Sequence, residues 1–349
     1  MGYTALVICF LAAMVITPFV KRFAIKIGAV DKPNDRKVHN KLMPRLGGLA
    51  IILSFLVGFL VFWPESISNW AIMAGAMIII ATGVLDDLIE LSSKTKLAGQ
   101  LAAAAVTVLG GVQIEFITLP FGDKIEFGYF AIPISIIWIV AITNAINLMD
   151  GLDGLAAGVS SIALLTISGL AISMGDTFIA LIGLALLGST LGFLVYNFHP
   201  AKIFMGDTGS LFLGFMISVL AVMGLYKNVA VFSLIVPIIV LAIPIIDTSF
   251  AIIRRIIHKK PIAAPDKFHL HHCIIRMGFT HRQTVVMIYA FSALFSVAAI
   301  LLTRTTMWSS AIILITLLLI VELVVEVTGL ISENYRPLLK LMDGNKVKK

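Results

Sequence analysis

Cysteine and charge are what this chain has least of. Its two cysteines, Cys9 and Cys273, stand far apart, one in an apolar run and one in a basic loop. That excludes a disulfide framework and a thiolate zinc site. Charged residues make up 13% and hydrophobic residues 59% of the 349, whereas a soluble domain averages about 25% and about 45–50%. With a mean hydropathy of +1.04, the composition points to a polytopic membrane protein. Internal repeats, low-complexity tracts and a second soluble domain are also missing, so residues 1–349 read as one domain. The opening stretch, Met1 to Val20, has no basic leader and no Ala-x-Ala cleavage site, and reads as a retained helix.

What the chain does have is long apolar runs. A membrane-crossing helix takes about 20 mostly apolar residues. Eleven stretches qualify as candidates: 3–20, 47–63, 70–85, 96–111, 130–148, 155–173, 177–196, 211–226, 229–257, 283–303 and 307–331. The expected fold is therefore all-α. The ninth stretch is long enough to tilt or to break near Pro237 and Pro244. Every Lys and Arg except Lys124, Lys227 and Arg304 falls on loops of one side. The positive-inside rule makes that side cytoplasmic, with the N-terminus outside and the C-terminus inside. The net charge of +7 then reports topology and contact with anionic membrane lipid, and nucleic acid is not an expected partner. Alternating polar and apolar residues around Gly122-Asp123, within residues 112–128, predict a small external β-hairpin.

The few carboxylates are unevenly placed. Asp86-Asp87, Asp150, Asp153, Asp207, Asp247 and Asp266 all fall on the cytoplasmic side, delivered by separate helices and loops. Such a cluster repels itself unless a cation or basic partner joins it. Oxygen ligands with so few thiols favour Mg²⁺, with Mn²⁺ as the second choice. Each motif also has a plainer reading. Asp86 and Asp87 point about 100° apart on a helix, which suits a metal on one side and a substrate on the other, or simply a solvated helix end. Asn144-x-x-Asn147-x-x-Asp150-Gly-x-Asp153-Gly lies between two apolar runs, as a site or as a polar turn. Asn197 through Phe204-Met-Gly-Asp207-Thr-Gly-Ser210 can hold a metal and a diphosphate, although Ser210 also suits a helix cap. Phe204, alone among the aromatics, sits in a polar loop where it could stack on a base. His269-Leu-His271-His272 stands among Arg254, Arg255, Lys259, Lys260 and Lys267, and suits phosphate better than zinc or a merely solvated loop. The segment from Asp31 through Asp35, Arg36, Lys37 and His39 to Arg45 and Gly47-Gly48 is read the same way, half as phosphate contact and half as orientation signal. A cation-coupled transporter would also bury acids in the membrane, but it should show repeat symmetry and paired broken helices.

These motifs, in this order and across nearly the whole chain, resemble the polyprenyl-phosphate N-acetylhexosamine-1-phosphate transferase family. The resemblance implies Mg²⁺-dependent transfer of a sugar 1-phosphate from a UDP-sugar to undecaprenyl phosphate, with release of UMP. It further implies a multi-pass protein of the bacterial cytoplasmic (inner) membrane with a cytoplasm-facing site, and it allows a homodimer. By the same resemblance Asp207 is the metal ligand and Asp86, Asp87 and His271 are catalytic. Asn147, Asp150, Asp153, Asn197, Phe204, His269, His272, Arg45 and Lys94 bind substrate, Asp153 and Phe204 on the nucleoside side. Two features separate the chain from the family's muramoyl-pentapeptide translocases: His-Leu-His-His where those have three consecutive histidines, and eleven candidate spans where those have ten. Both are similar to the branch using UDP-N-acetylglucosamine, and the run from Leu191 to Asp207 most resembles the members that initiate wall teichoic acid.

Overall fold

The structure is a computed structural model and describes residues 1–31, 43–62, 69–118, 124–225, 234–261, 266, 268–331 and 335–344. Asp35, Arg36, Lys37, His39, Gly122, Asp123, Lys227 and Lys267 lie outside the described residues. The polypeptide forms helices α1 (Gly2–Lys26), α2 (Gly47–Phe62), α3 (Asn69–Ile89), α4 (Ser93–Leu109), α5 (Ala131–Met149), α6 (Leu155–Met174), α7 (Thr177–Asn197) and α8 (Gly206–Leu220). They are followed by α9 (Ile235–Val240), α10 (Ala242–Ile257), α11 (Leu270–Arg276), α12 (His281–Leu302), α13 (Met307–Thr328) and α14 (Pro337–Gly344). The all-α polytopic reading holds. Among the described residues, eight helices are long and apolar enough to cross a membrane, and α2 is a shorter apolar helix. The predicted fourth span is the 17-residue α4, whose first turn holds Lys94 and Lys96. The predicted ninth span is divided: α9 ends and α10 begins around Leu241, with Pro237 and Pro244 in the first turn of each piece. A proline lacks the N–H that would close the preceding turn, so the break falls where that bond is missing.

Helix packing explains which spans face lipid. α6, α7 and α8 are buried along most of their length, with Phe193, Phe212 and Phe215 fully enclosed. α13 lies at the periphery, where Ile312 is 66% and Leu318 69% exposed. Between helices with apolar lipid outside, close backbone approach and hydrogen bonds drive association. Gly188 and Gly192 of α7 meet the Leu6 and Phe10 carbonyls of α1, where any Cβ would clash. Gln100 of α4 and Asn144 of α5 exchange reciprocal amide hydrogen bonds. Asn144 therefore joins two helices.

The predicted hairpin is present. β3 (Phe116–Thr118) pairs antiparallel with β4 (Lys124–Glu126), Ile117 opposite Ile125. A second short ladder, β1 (Val30–Asp31) with β2 (Met43–Pro44), leads into α2.

Candidate active site

The amino end of α8 is the anchor of the site. It is clamped between two other helices by glycines. A Cβ on Gly48 would lie 2.1 Å from the Gly209 nitrogen, and one on Gly83 would lie 2.6 Å from the Thr208 Cα. The Gly47 and Gly48 N–H groups donate to the Phe204 and Met205 carbonyls at 2.9 and 2.8 Å. These glycines serve packing, which corrects their reading as phosphate contacts.

Asp87 fixes the same helix end from α3. Its carboxylate accepts from the N–H of Asp207 and of Thr208, both at 2.9 Å, and from the Thr208 hydroxyl at 2.6 Å. The first N–H groups of a helix have no partner within it and carry partial positive charge, so a buried carboxylate there is doubly favoured. Gly206, at φ 72°, passes so close that a Cβ would lie 2.5 Å from the Asp87 carboxylate. Asp87 is thus committed to structure.

Asp86, one residue earlier, turns the other way. One oxygen accepts from the Leu91 N–H at 2.8 Å and the other pairs with Lys96 Nζ at 2.5 Å. Lys96 also reaches Asp207 Oδ1 at 3.2 Å and so bridges the two carboxylates. Asn147 donates to Asp207 Oδ1 and to the Ser210 hydroxyl, the latter at 2.8 Å. The cation between the two acids is Lys96. Lys94, chosen from the sequence, is exposed two residues away on the same first turn.

Asp150 follows α5. Burial pushes its carboxyl up to about 8, with the charges of Asp207, Asp87 and Asp153 adding to the rise. Across from it lies the histidine segment. A Cβ on Gly151 would lie 2.6 Å from His271 Nε2, so the ring packs directly on that backbone. His271 is buried and its Nε2 has no hydrogen-bond partner within the protein. Burial, with the nearby His272, brings its pKa down to about 3. The ring is neutral at physiological pH. A buried polar atom left without a partner has a cost, and a bound ligand is one way to remove it.

Asp247 holds the histidine segment in place. It accepts from the Leu270 N–H at 2.7 Å and meets His269 Nδ1 at 2.8 Å, and the His269 ring stacks on His271 at 5.9 Å between centroids. The sequence offered Asp247 only as one more cytoplasmic acid on a long apolar stretch. Its alignment with His269 depends on the break between α9 and α10, which Pro237 and Pro244 foreshadow without fixing the direction of the second piece. His272 is half-buried against His271, 4.2 Å between ring centroids.

The remaining candidates are placed as follows. Asn197 is buried and bridges two backbone segments, accepting from the Gly154 N–H at 3.1 Å and donating to the Ile203 carbonyl at 2.9 Å. Asp153 Oδ2 meets His199 Nδ1 at 2.9 Å and accepts from the Ala201 N–H at 3.0 Å. Phe204 is partly exposed in the loop before α8, its N–H bonded to the Pro44 carbonyl at 2.9 Å. Arg45 pairs with Asp31 at 3.2 Å and Glu90 at 3.5 Å, joining the β1–β2 ladder to the end of α3.

Asp86, Asp150 and Asp207, with Lys96 as the basic partner, make a hard, oxygen-rich donor set. Acids gathered this closely, Asp150 raised first by burial and then by its acidic neighbours, fit a divalent cation with oxygen preference. Asp207 is the member best suited to hold it, since Asp87 is engaged by the helix end.

Residues 69–225 match the family described as Glycosyl transferase family 4. The chain is similar to a Bacillus subtilis protein, probable undecaprenyl-phosphate N-acetylglucosaminyl 1-phosphate transferase, at 51% identity over 96% of this chain and 94% of that one. It is 35% identical to a decaprenyl-phosphate N-acetylglucosaminephosphotransferase of Mycolicibacterium smegmatis, over 82% of this chain and 78% of the other. It is also 36% identical to a phospho-N-acetylmuramoyl-pentapeptide-transferase of Halalkalibacterium halodurans, over 85% and 94% of the two chains.

Proposed function

The chain belongs to glycosyl transferase family 4, and from that premise we propose that it transfers N-acetylglucosamine 1-phosphate from UDP-N-acetylglucosamine to undecaprenyl phosphate. An oxygen of the lipid phosphate attacks the sugar-bearing phosphorus. The bond from that phosphorus to the bridging oxygen breaks, and the bridging oxygen leaves on UMP. The product is undecaprenyl-diphospho-N-acetylglucosamine. We place the reaction on the cytoplasmic face of a bacterial inner membrane, as the first membrane step of a cell-wall polymer, with wall teichoic acid as the pathway.

The observation that carries this reading is the convergence of Asp86, Lys96, Asn147 and Asp207 beside the unpartnered His271. Transfer of a phosphoryl group asks mainly for alignment and for neutralisation of negative charge. Lys96 receives the lipid phosphate next to Asp86, which takes the proton when that phosphate arrives as the monoanion. His271 Nε2 meets a phosphate oxygen of the donor, oriented by its stack on His269 and by Asp247. Asp150 lines the same wall, and Asp153 and Phe204 take the nucleoside. Mg²⁺ held by Asp207 supplies charge neutralisation on the diphosphate when bound.

The test is transfer of label to undecaprenyl phosphate by the purified protein. UDP-N-acetylglucosamine should label the lipid and release UMP. Labelling only from the UDP-muramoyl-pentapeptide donor would overturn the assignment. Asp207→Asn should lower turnover by at least about a hundredfold while the protein still folds. Unchanged turnover removes Asp207 from the site.

A further inference from the structure

The turn that carries Asp150 and Asp153 ends on a residue with no side chain, gripped from three helices. Gly154 stands at φ 78°, directly before α6. Its N–H donates to Asn197 Oδ1 of α7 at 3.1 Å, and its carbonyl accepts from the Gly158 N–H at 2.9 Å. That carbonyl also accepts from the Tyr289 hydroxyl of α12 at 2.5 Å. The Tyr289 ring passes over Gly158, where a Cβ would lie 2.0 Å from the ring carbon Cζ. No step of the transfer uses Tyr289. The helix bond from Gly158 already satisfies the Gly154 carbonyl, so the tyrosine is surplus to what folding requires there.

The same helix is tied to the histidine side of the site. α12 follows α11 after residues 277–280, and a capping box of Thr280 and Gln283 fixes its start. His281, its first residue, hydrogen-bonds the Asp153 backbone. Tyr289 lies about 12 Å further along the helix axis.

We propose that Tyr289 is a positioning residue, whose hydroxyl sets the distance between the turn that takes the nucleoside and the histidine segment that meets the diphosphate. This role rests on the placement of a UDP-sugar in the site. The uridine diphosphate group touches both walls at once, Asp153 with its nucleoside and His271 with a phosphate oxygen. Two contacts of one ligand add fully only when the protein holds them at the matching spacing. Glycine has more backbone freedom than any other residue, and the grip on Gly154 removes that freedom. Tyr289→Phe deletes one oxygen and leaves the ring packed over Gly158. It strands no polar group of the turn, since Gly158 still donates to the carbonyl. What is lost is the spacing. Free uridine, which touches one wall alone, does not sense it.

Full-length protein in detergent with Mg²⁺ is titrated with UDP and, separately, with uridine, and turnover is measured against UDP-N-acetylglucosamine. Tyr289→Phe should weaken UDP binding and raise KM for the donor by about fivefold or more. Its kcat and its uridine binding should stay within about twofold of wild type, with the melting temperature unchanged. Gly158→Ala drives a methyl group into the Tyr289 ring and should produce the same split; it decides if Tyr289→Phe does not fold. Unchanged UDP binding in a folded variant, equal losses for UDP and uridine, or a fall in kcat at constant KM overturns the proposal. If wild-type protein binds UDP, Tyr289→Phe shows the split in binding, and no transfer from UDP-N-acetylglucosamine occurs, the donor assignment falls and Tyr289 keeps its role.

Discussion

At the scale of single residues, two adjacent carboxylates have different duties. Asp87 accepts three hydrogen bonds from the start of α8, whereas Asp86 faces Lys96 and Asp207. Asp87→Asn should therefore lower the melting temperature, at a cost of about 2 kcal/mol for a buried charge-assisted group. Asp86→Asn should keep the melting temperature and lose turnover; thermal melts beside assays of both variants check this. The site lysine divides similarly. Lys96→Gln should reduce turnover far more than Lys94→Gln, because only Lys96 touches the acids. The acids themselves were legible in the sequence, since charge is costly at membrane depth and so stands out against apolar runs. The choice between Lys94 and Lys96 was not, because it depends on the rotation of α4 about its axis. Asp247 and the clamp of Gly47 and Gly48 were hidden for a related reason, their partners being remote in sequence. Asp150 carries a pH signature. Its carboxyl is raised to about 8, so the folded protein holds a proton that the unfolded chain releases near pH 4. That contribution to stability is fully present below pH 4 and is lost as pH rises through 8. The melting temperature of the metal-free protein should fall between about pH 4 and 8 and level off above that, and Asp150→Asn should flatten the decline.

At the scale of elements, the site depends on how close α2 and α3 come to α8. Gly48→Ala places a methyl group 2.1 Å from the Gly209 nitrogen. Neither backbone can retreat without parting the helices, and overpacking of this kind costs about 1–3 kcal/mol. The variant should melt lower and lose turnover together, because Asp207 moves with α8. Differential scanning fluorimetry and an activity assay on the same preparation test the coupling. Helices this long and apolar were readable from composition alone, as was the β3–β4 hairpin from its alternation. The break at Leu241 was foreshadowed only by Pro237 and Pro244. A proline in the first turn is compatible with either a new helix or a bend, and packing decides between them.

At the scale of the whole molecule, the candidate site lies at the end of the bundle that carries nearly all the basic residues, and the proposed cytoplasmic orientation of that end is open to a direct test. In a background with Cys9→Ser and Cys273→Ser, Lys124→Cys should react with a membrane-impermeant maleimide from outside intact cells. Ser92→Cys should react only after permeabilisation, and the reverse pattern would invert the topology. The site is drawn from α3, α4, α5, α8 and α11, so it gathers segments made at very different times. A chain emerging from the ribosome inserts Asp86, Asp150 and Asp207 well before His269 and His271 exist. During that interval the acids sit in the membrane without the histidine wall that later covers Gly151. A chain cut short after α10 should be inserted and silent, unable to draw on the cell's nucleotide sugar.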